Sequence, residues 1–170
     1  MSSVCFVRIS FVGSSLEELD ASGLAFPLFI KPTSMGNKRG VDANSVVHNT
    51  QSYINKVTSL RTDFNSDSLV EEYLPGREFS VAVYETGEAS GLTTSAIEAI
   101  IGKNDRGDRI LGVTSGSADN EQVIVVSDEK LLEQLSDLAM QAFTVLGARD
   151  YGRIDIRLDT DGVPHFLEAN

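Results

Sequence analysis

The stretch YGRIDIRLDTDGVPHFLEAN, Tyr151 to Asn170, gathers residue types that suit a hard cation and an anion. Two alternating segments flank Asp161-Gly162, the strongest short-range signal for a tight hairpin turn. With that pair at the centre of a two-residue turn, Asp155 faces Glu168 and Arg153 faces Asn170. Alternation sends Ile154, Ile156, Leu158, Leu167 and Ala169 to one side, and Arg153, Asp155, Arg157, Glu168 and Asn170 to the other. Like charges directly opposed across strands destabilise a sheet. A Mg²⁺ ion held by Asp155, Glu168 and Asn170 would remove that repulsion, because it takes oxygen ligands, usually from one or two carboxylates, and leaves its other positions to water and phosphate. With two His and one Cys in the chain, no soft-metal set competes. The plainer alternative is a solvated face on which Arg153 pairs with Asp155, or Arg157 with Glu168.

Two further segments could do chemistry. KPTSMGNKRGV places Gly36 and Gly40 in a connection between strands, with Lys31 at its start and Lys38 and Arg39 inside it. Glycines let backbone amides converge on an anion, and the cations add charge and donors. The lysine precedes the glycines and no helix follows directly, so this is not a P-loop; the alternative is an ordinary exposed turn. VEEYLPGREF carries Glu71, Glu72 and Tyr73, a Pro75-Gly76 break, then Glu78. Carboxylates accept from ribose hydroxyls, and an apolar slot beside a strand edge suits an adenine ring. A solvated strand end is the competing reading.

The elements that must position these residues are legible as a pattern. Ser15-Leu-Glu-Glu18 is a capping box that starts a short helix ended by Gly23. FPLFIKP, Phe26 to Pro32, reads as a strand, and GVDANSVVH as its partner after the glycine loop. Tyr53, Ile54, Val57, Leu60, Arg61 and Phe64 recur at helical spacing. LVEEYL, EFSVAVYE and TTSAIEAII read as strands, and residues 102–121 as a loop without periodicity. VIVV is a short strand; after it Ser127 is placed to cap a helix whose apolar stripe runs from Leu131 to Leu146 and stops at Gly147. This order of hairpins and short helices indicates α+β rather than a doubly wound parallel sheet.

The 170 residues are 41% hydrophobic and 23% charged, which is ordinary globular composition. The net charge of -11 disfavours nucleic acid and anionic membranes, which need a basic surface. VCFVRISFVG is interrupted by Arg8, lacks a basic leader and falls short of the roughly 20 apolar residues of a membrane span, so neither signal peptide nor span is expected. The single Cys5 fits a reducing compartment, and the expected location is cytoplasmic.

Taken in order, FPLFIKP with its G-x-x-x-G-V loop, VEEYLPGREF and the terminal hairpin resemble the ATP-grasp superfamily, most closely its D-alanine:D-alanine ligase branch, from Phe26 to Asn170. The resemblance implies an ATP-grasp fold in which two small α+β subdomains with antiparallel sheets grip a nucleotide between them. It divides the chain into a lead-in at 1–24, a glycine-loop lid at 25–74 and a core with the metal hairpin at 75–170. It also implies a chain truncated at both ends. Carried over by position, it implies that Lys31 contacts phosphate and the adenine edge, that Gly36, Asn37 and Lys38 belong to the phosphate loop, and that Glu71, Tyr73 and Leu74 line the adenine slot. Glu78 would take the ribose hydroxyls and Arg153 the transferred phosphoryl group. Asp155, Glu168 and Asn170 would hold two Mg²⁺ ions, with Mn²⁺ as a substitute. The implied activity is that of a carboxylate–amine ligase forming an acylphosphate, with a homodimer built by the full-length protein. The residues after Gly36 are Asn37-Lys38-Arg39 where the branch has serines, so the substrate stays open between D-alanine and another small amino acid or peptide. The alternatives are a nucleotide-binding module without a substrate site, and a plain Mg²⁺- or Ca²⁺-binding interaction domain.

Overall fold

The computed structural model describes residues 9–12, 15–36, 38–87, 91–111 and 122–170. They form two compact units, one from residues 74–101 and 122–170, the other from residues 9–73 and 102–111. Each is a layer of antiparallel sheet with a helix on one face.

The glycine-loop unit contains β1 (Ile9–Val12), α1 (Leu16–Ser22), β2 (Leu28–Pro32), β3 (Val46–Val47), α2 (Thr50–Phe64) and β4 (Ser68–Glu72). Its sheet runs β1-β4-β2-β3, every pair antiparallel. The Ser15–Glu18 capping box forms in both directions and Gly23 closes α1 at φ 70°, as the sequence predicts. α2 begins at Asn49, whose side chain accepts the Ser52 amide at 2.9 Å. Helix periodicity then buries Tyr53, Val57 and Leu60 against Leu28, Ile30 and Val70 of the sheet. On the opposite sheet face Val46, Tyr73 and Ile110 form a smaller cluster with Phe29 and Val41. The expected strand GVDANSVVH shrinks to Val46–Val47. Residues 42–45 instead close a turn, in which the Ser45 amide donates to Asp42 O at 2.9 Å.

The hairpin unit contains β5 (Glu78–Glu85), β6 (Leu92–Ile100), β7 (Gln122–Val125), α3 (Glu129–Val145), β8 (Tyr151–Leu158) and β9 (Pro164–Ala169), with sheet order β7-β6-β5-β8-β9. α3 covers one face. Leu131, Leu135, Leu138, Ala139, Ala142 and Phe143 meet Phe79, Val81, Val83, Ile154, Ile156 and Leu158, each buried side chain contributing about 1.5–3 kcal/mol. The cap of α3 is Asp128, which accepts the Leu131 amide at 3.1 Å, one residue later than the expected Ser127. A carboxylate there also complements the positive end of the helix. Among the described residues, no helix is long and apolar enough to cross a membrane.

Candidate functional site

The terminal hairpin reaches the expected pairing by an unexpected route. The turn is a three-residue loop rather than a two-residue one, since Asp159 N donates to Val163 O at 3.0 Å and Gly162 N to Asp159 O at 3.3 Å. Gly162 sits at φ 78°, the left-handed position that follows a type I turn in such loops. That loop alone would slip the register by one, and it pairs Leu158 with Pro164, Arg157 with His165 and Ile156 with Phe166. An irregularity between Asp155 and Ile156, with Leu167 as the extra residue, then restores Asp155↔Glu168 and Ile154↔Ala169. The two departures cancel where the chemistry lies. Phe166, and not the expected Leu167, therefore packs on the core.

The open face of the hairpin unit, away from α3, carries the site. Asp155 is 8% exposed, and its oxygens accept four hydrogen bonds. Oδ1 takes Ser80 Oγ at 2.8 Å and Arg153 Nε at 2.9 Å; Oδ2 takes Arg153 Nη2 at 2.9 Å and Asn170 Nδ2 at 3.0 Å. This fork-on-fork pair is the geometry an arginine makes best. The hydrogen bond to Asp155 raises the Arg153 pKa further above its ordinary value, partly against burial, so Arg153 is a permanent cation. Backbone bonds in both directions at 2.9 and 2.8 Å hold Arg153 opposite Asn170. Further along the same face Arg157, buried, lies 3.3 Å from Glu78, its neighbour across β5 and β8. Of the two ion pairs weighed from sequence, Arg153–Asp155 forms, whereas Arg157 pairs with Glu78 rather than Glu168.

Ser80 was not visible as a site residue. Its only signal is position: a serine two residues beyond Glu78 on the same strand face, paired with Asp155. At the turn His165 Nε2 lies 2.8 Å from Asp159 Oδ2. Burial pushes the Asp159 pKa up, but the hydrogen bonds from His165 and from the Val163 and Asp161 amides outweigh it and hold the carboxyl below its ordinary value.

In the glycine-loop unit, Lys31 Nζ lies 3.0 Å from Glu71 Oε2 on the sheet face opposite α2. Glu71 is 6% exposed, so a cation reaches it only from that face. Tyr73 is buried and its hydroxyl accepts the Arg109 amide at 2.7 Å, fastening residues 102–111 to this unit. Asp108, also buried, accepts from His48 Nε2 at 3.0 Å and makes the same connection. Gly36 and Lys38 lie in the loop after β2, with Lys38 at φ 58°; Asn37 lies outside the described residues. Leu74 is a buried residue of the hairpin unit.

The donor set suits a hard cation. Among the described residues no three His, Cys, Asp or Glu side chains gather to hold a metal, and the hairpin offers two facing carboxylates with one amide. Those are oxygen donors of the kind Mg²⁺ and Ca²⁺ take. The charge that a cation would supply beside Asp155 is here supplied by Arg153.

Comparison with known proteins identifies the family and the fold. Residues 6–170 match the family described as D-ala D-ala ligase C-terminus. The D-alanine–D-alanine ligase A of Mesorhizobium japonicum is 34% identical over 162 residues, covering 94% of this chain and 43% of that protein. The structure of the VanG D-Ala:D-Ser ligase from Enterococcus faecalis superposes with a TM-score of 0.69 at 21% identity, covering 98% of this chain and 48% of the other. The Bacillus anthracis D-alanine–D-alanine ligase complexed with ATP gives 0.63 at 19% identity, covering 97% and 47%. The chain thus spans a little under half the length of these relatives, and the fold is the mixed α+β, antiparallel-sheet fold of the ATP-grasp ligases.

Proposed function

The chain belongs to the D-ala D-ala ligase C-terminal family, and on that premise we propose that it is the ATP- and Mg²⁺-binding part of a carboxylate–amine ligase. The observation that carries the reading is the hairpin face itself, where a turn and a bulge compensate to set Asp155 opposite Glu168 beside Asn170 and a permanently charged Arg153. The Mesorhizobium japonicum relative carries a ligase name, and one related structure holds ATP.

Asp155, Glu168 and the Asn170 amide oxygen would hold Mg²⁺, as one ion or two. When bound, Mg²⁺ supplies charge neutralisation at the phosphate oxygens. The chain's own residues do the rest. Arg153 offers a planar fork of donors that matches phosphoryl oxygens as well as it matches Asp155. It would stabilise the γ-phosphoryl group as it passes to a substrate carboxylate, giving an acylphosphate that an amine then attacks. Glu78, which pairs with Arg157, would also accept from ribose hydroxyls, and Lys31 with the Gly36–Gly40 loop would supply donors to phosphate. Glu71, Tyr73 and Leu74 would frame the base. No side-chain nucleophile is needed. Positioning and electrostatics carry the rate. The carboxylate substrate is a small amino acid or a peptide.

The test is a melting curve. MgATP at a hundredfold excess over its dissociation constant stabilises the native state by about 2.7 kcal/mol, so differential scanning fluorimetry should show a clear rise in Tm. An unchanged Tm at millimolar MgATP in folded protein refutes the reading.

A further inference from the structure

Lys56 occupies a position on α2 where the sequence pattern calls for an apolar residue. It lies on the helix face of Tyr53, Val57 and Leu60 and is 2% exposed. Its Nζ donates to Gly40 O at 2.8 Å and lies 3.1 Å from Asp42 Oδ1. Ordering a lysine costs about 1.5–2 kcal/mol of side-chain entropy, and an ion pair to a carboxylate as exposed as Asp42 returns only about 0–1 kcal/mol. Fold stability alone therefore does not call for a lysine here. The groups it holds belong to the trailing stem of the glycine loop.

That stem is fixed from other directions too. Gly40 has φ 77°, and a Cβ there would lie 2.5 Å from Pro32 Cγ and 3.1 Å from Leu60 Cδ2, so the stem is pressed against β2 and α2. Asp42 Oδ1 also accepts the Asn44 amide at 2.7 Å, and the Asp42 amide donates to Ser45 Oγ at 3.0 Å. Ser45 O in turn accepts the Ile30 amide at 2.8 Å. At the leading end, a Cβ on Gly36 would meet nothing within 4 Å, and the Arg39 amide reaches Gly36 O only at 3.3 Å. The trailing stem is thus clamped to α2 and β2.

We propose that Lys56 is a positioning residue that clamps the trailing stem of the glycine loop to α2, so that Lys38 and Arg39 are presented to nucleotide from a fixed base. The nucleotide part of this rests on the reading above; the clamp does not. A rigid base reduces the ordering cost of binding, which is why a lysine is retained where a methionine would pack.

The experiment uses Lys56→Met and, independently, Gly40→Ala in the 170-residue chain. Limited trypsin digestion without nucleotide reads the clamp through cleavage after Lys38 and Arg39. Both variants should be cut there about tenfold faster than the wild type, a ratio equivalent to 1.4 kcal/mol, with other sites unchanged; Lys56→Met should do so at an unchanged Tm, and Gly40→Ala at a Tm lowered by strain at its positive φ. Titration with MgATP reads the consequence, a Kd raised by about tenfold, while a merely structural lysine would lower Tm and leave Kd alone. Wild-type cleavage rates in folded Lys56→Met overturn the clamp; should that variant not fold, wild-type rates in Gly40→Ala do so. Faster cleavage with wild-type Kd overturns its role toward nucleotide. A wild-type chain without MgATP affinity refutes the nucleotide reading, and the cleavage ratio still decides the clamp.

Discussion

Asp155 spends four hydrogen bonds on two oxygens, and Glu168, directly opposite, shares none of them. Without metal the two acids are therefore unequal. Asp155 is neutralised by Arg153, and Glu168 is an exposed carboxylate near it. Glu168→Gln removes one of two opposed charges, so the metal-free protein should melt no lower than the wild type. Substitutions that only support a metal ligand already cost about 10–100-fold in affinity, so loss of a ligand should weaken Mg²⁺-dependent ATP binding at least as much. Fluorimetry without metal and a binding titration with it separate the two effects; a large drop in metal-free Tm would assign Glu168 a structural role. Asp159 gives a second prediction at this scale. Its folded pKa is depressed, so its contribution to stability is present above the ordinary carboxylate value and fades as pH falls through the folded one. Asp159→Asn keeps an acceptor for the Asp161 and Val163 amides and loses the charge facing His165. Its Tm deficit should be largest just above the ordinary carboxylate range and close as pH falls below it. A deficit independent of pH would show that the charge is idle.

At the scale of elements, the terminal hairpin shows what was legible in the sequence and what was not. Alternation of Ile154, Ile156 and Leu158 with charged residues gave the strand and its faces, and the Ser15–Glu18 capping box gave the start of α1, because these signals are local. The Asp155–Glu168 pairing was also read correctly, but through a two-residue turn that does not form. The three-residue loop and the bulge at Leu167 depend on which side chain fits under α3, and Phe166 fills more core there than Leu167 would. That is a tertiary choice no local pattern encodes. Ser80 stayed hidden for the same reason, since a serine on a strand has no signal until its cross-strand neighbour is known. The turn makes a test of its own. A Cβ on Gly162, which sits at φ 78°, would meet no atom within 4 Å, so Gly162→Ala acts through backbone strain alone, about 1–2 kcal/mol for a side chain in the left-handed region. Urea denaturation should show that loss of stability with an unchanged m-value. A silent substitution would mean that the loop adopts another turn.

At the scale of the whole molecule, a chain of net charge -11 is an unpromising receptor for a triphosphate, since its long-range field repels the ligand. The account resolves this locally. On the function proposed above, Arg153, Lys31, Lys38 and a divalent cation would supply that compensation at the phosphates, and fields from the remaining acids fade over about 8 Å at physiological salt. ATP binding should therefore be strongly metal-dependent, which a fold-level likeness to ATP-grasp ligases does not by itself require. Equilibrium dialysis of labelled ATP against the chain, with Mg²⁺ and with a chelator in its place, measures this directly. The account predicts saturable binding of one ATP per chain with Mg²⁺ and a large loss of affinity under the chelator. Absence of saturable binding at millimolar MgATP, or equal affinity with and without the metal, would contradict it.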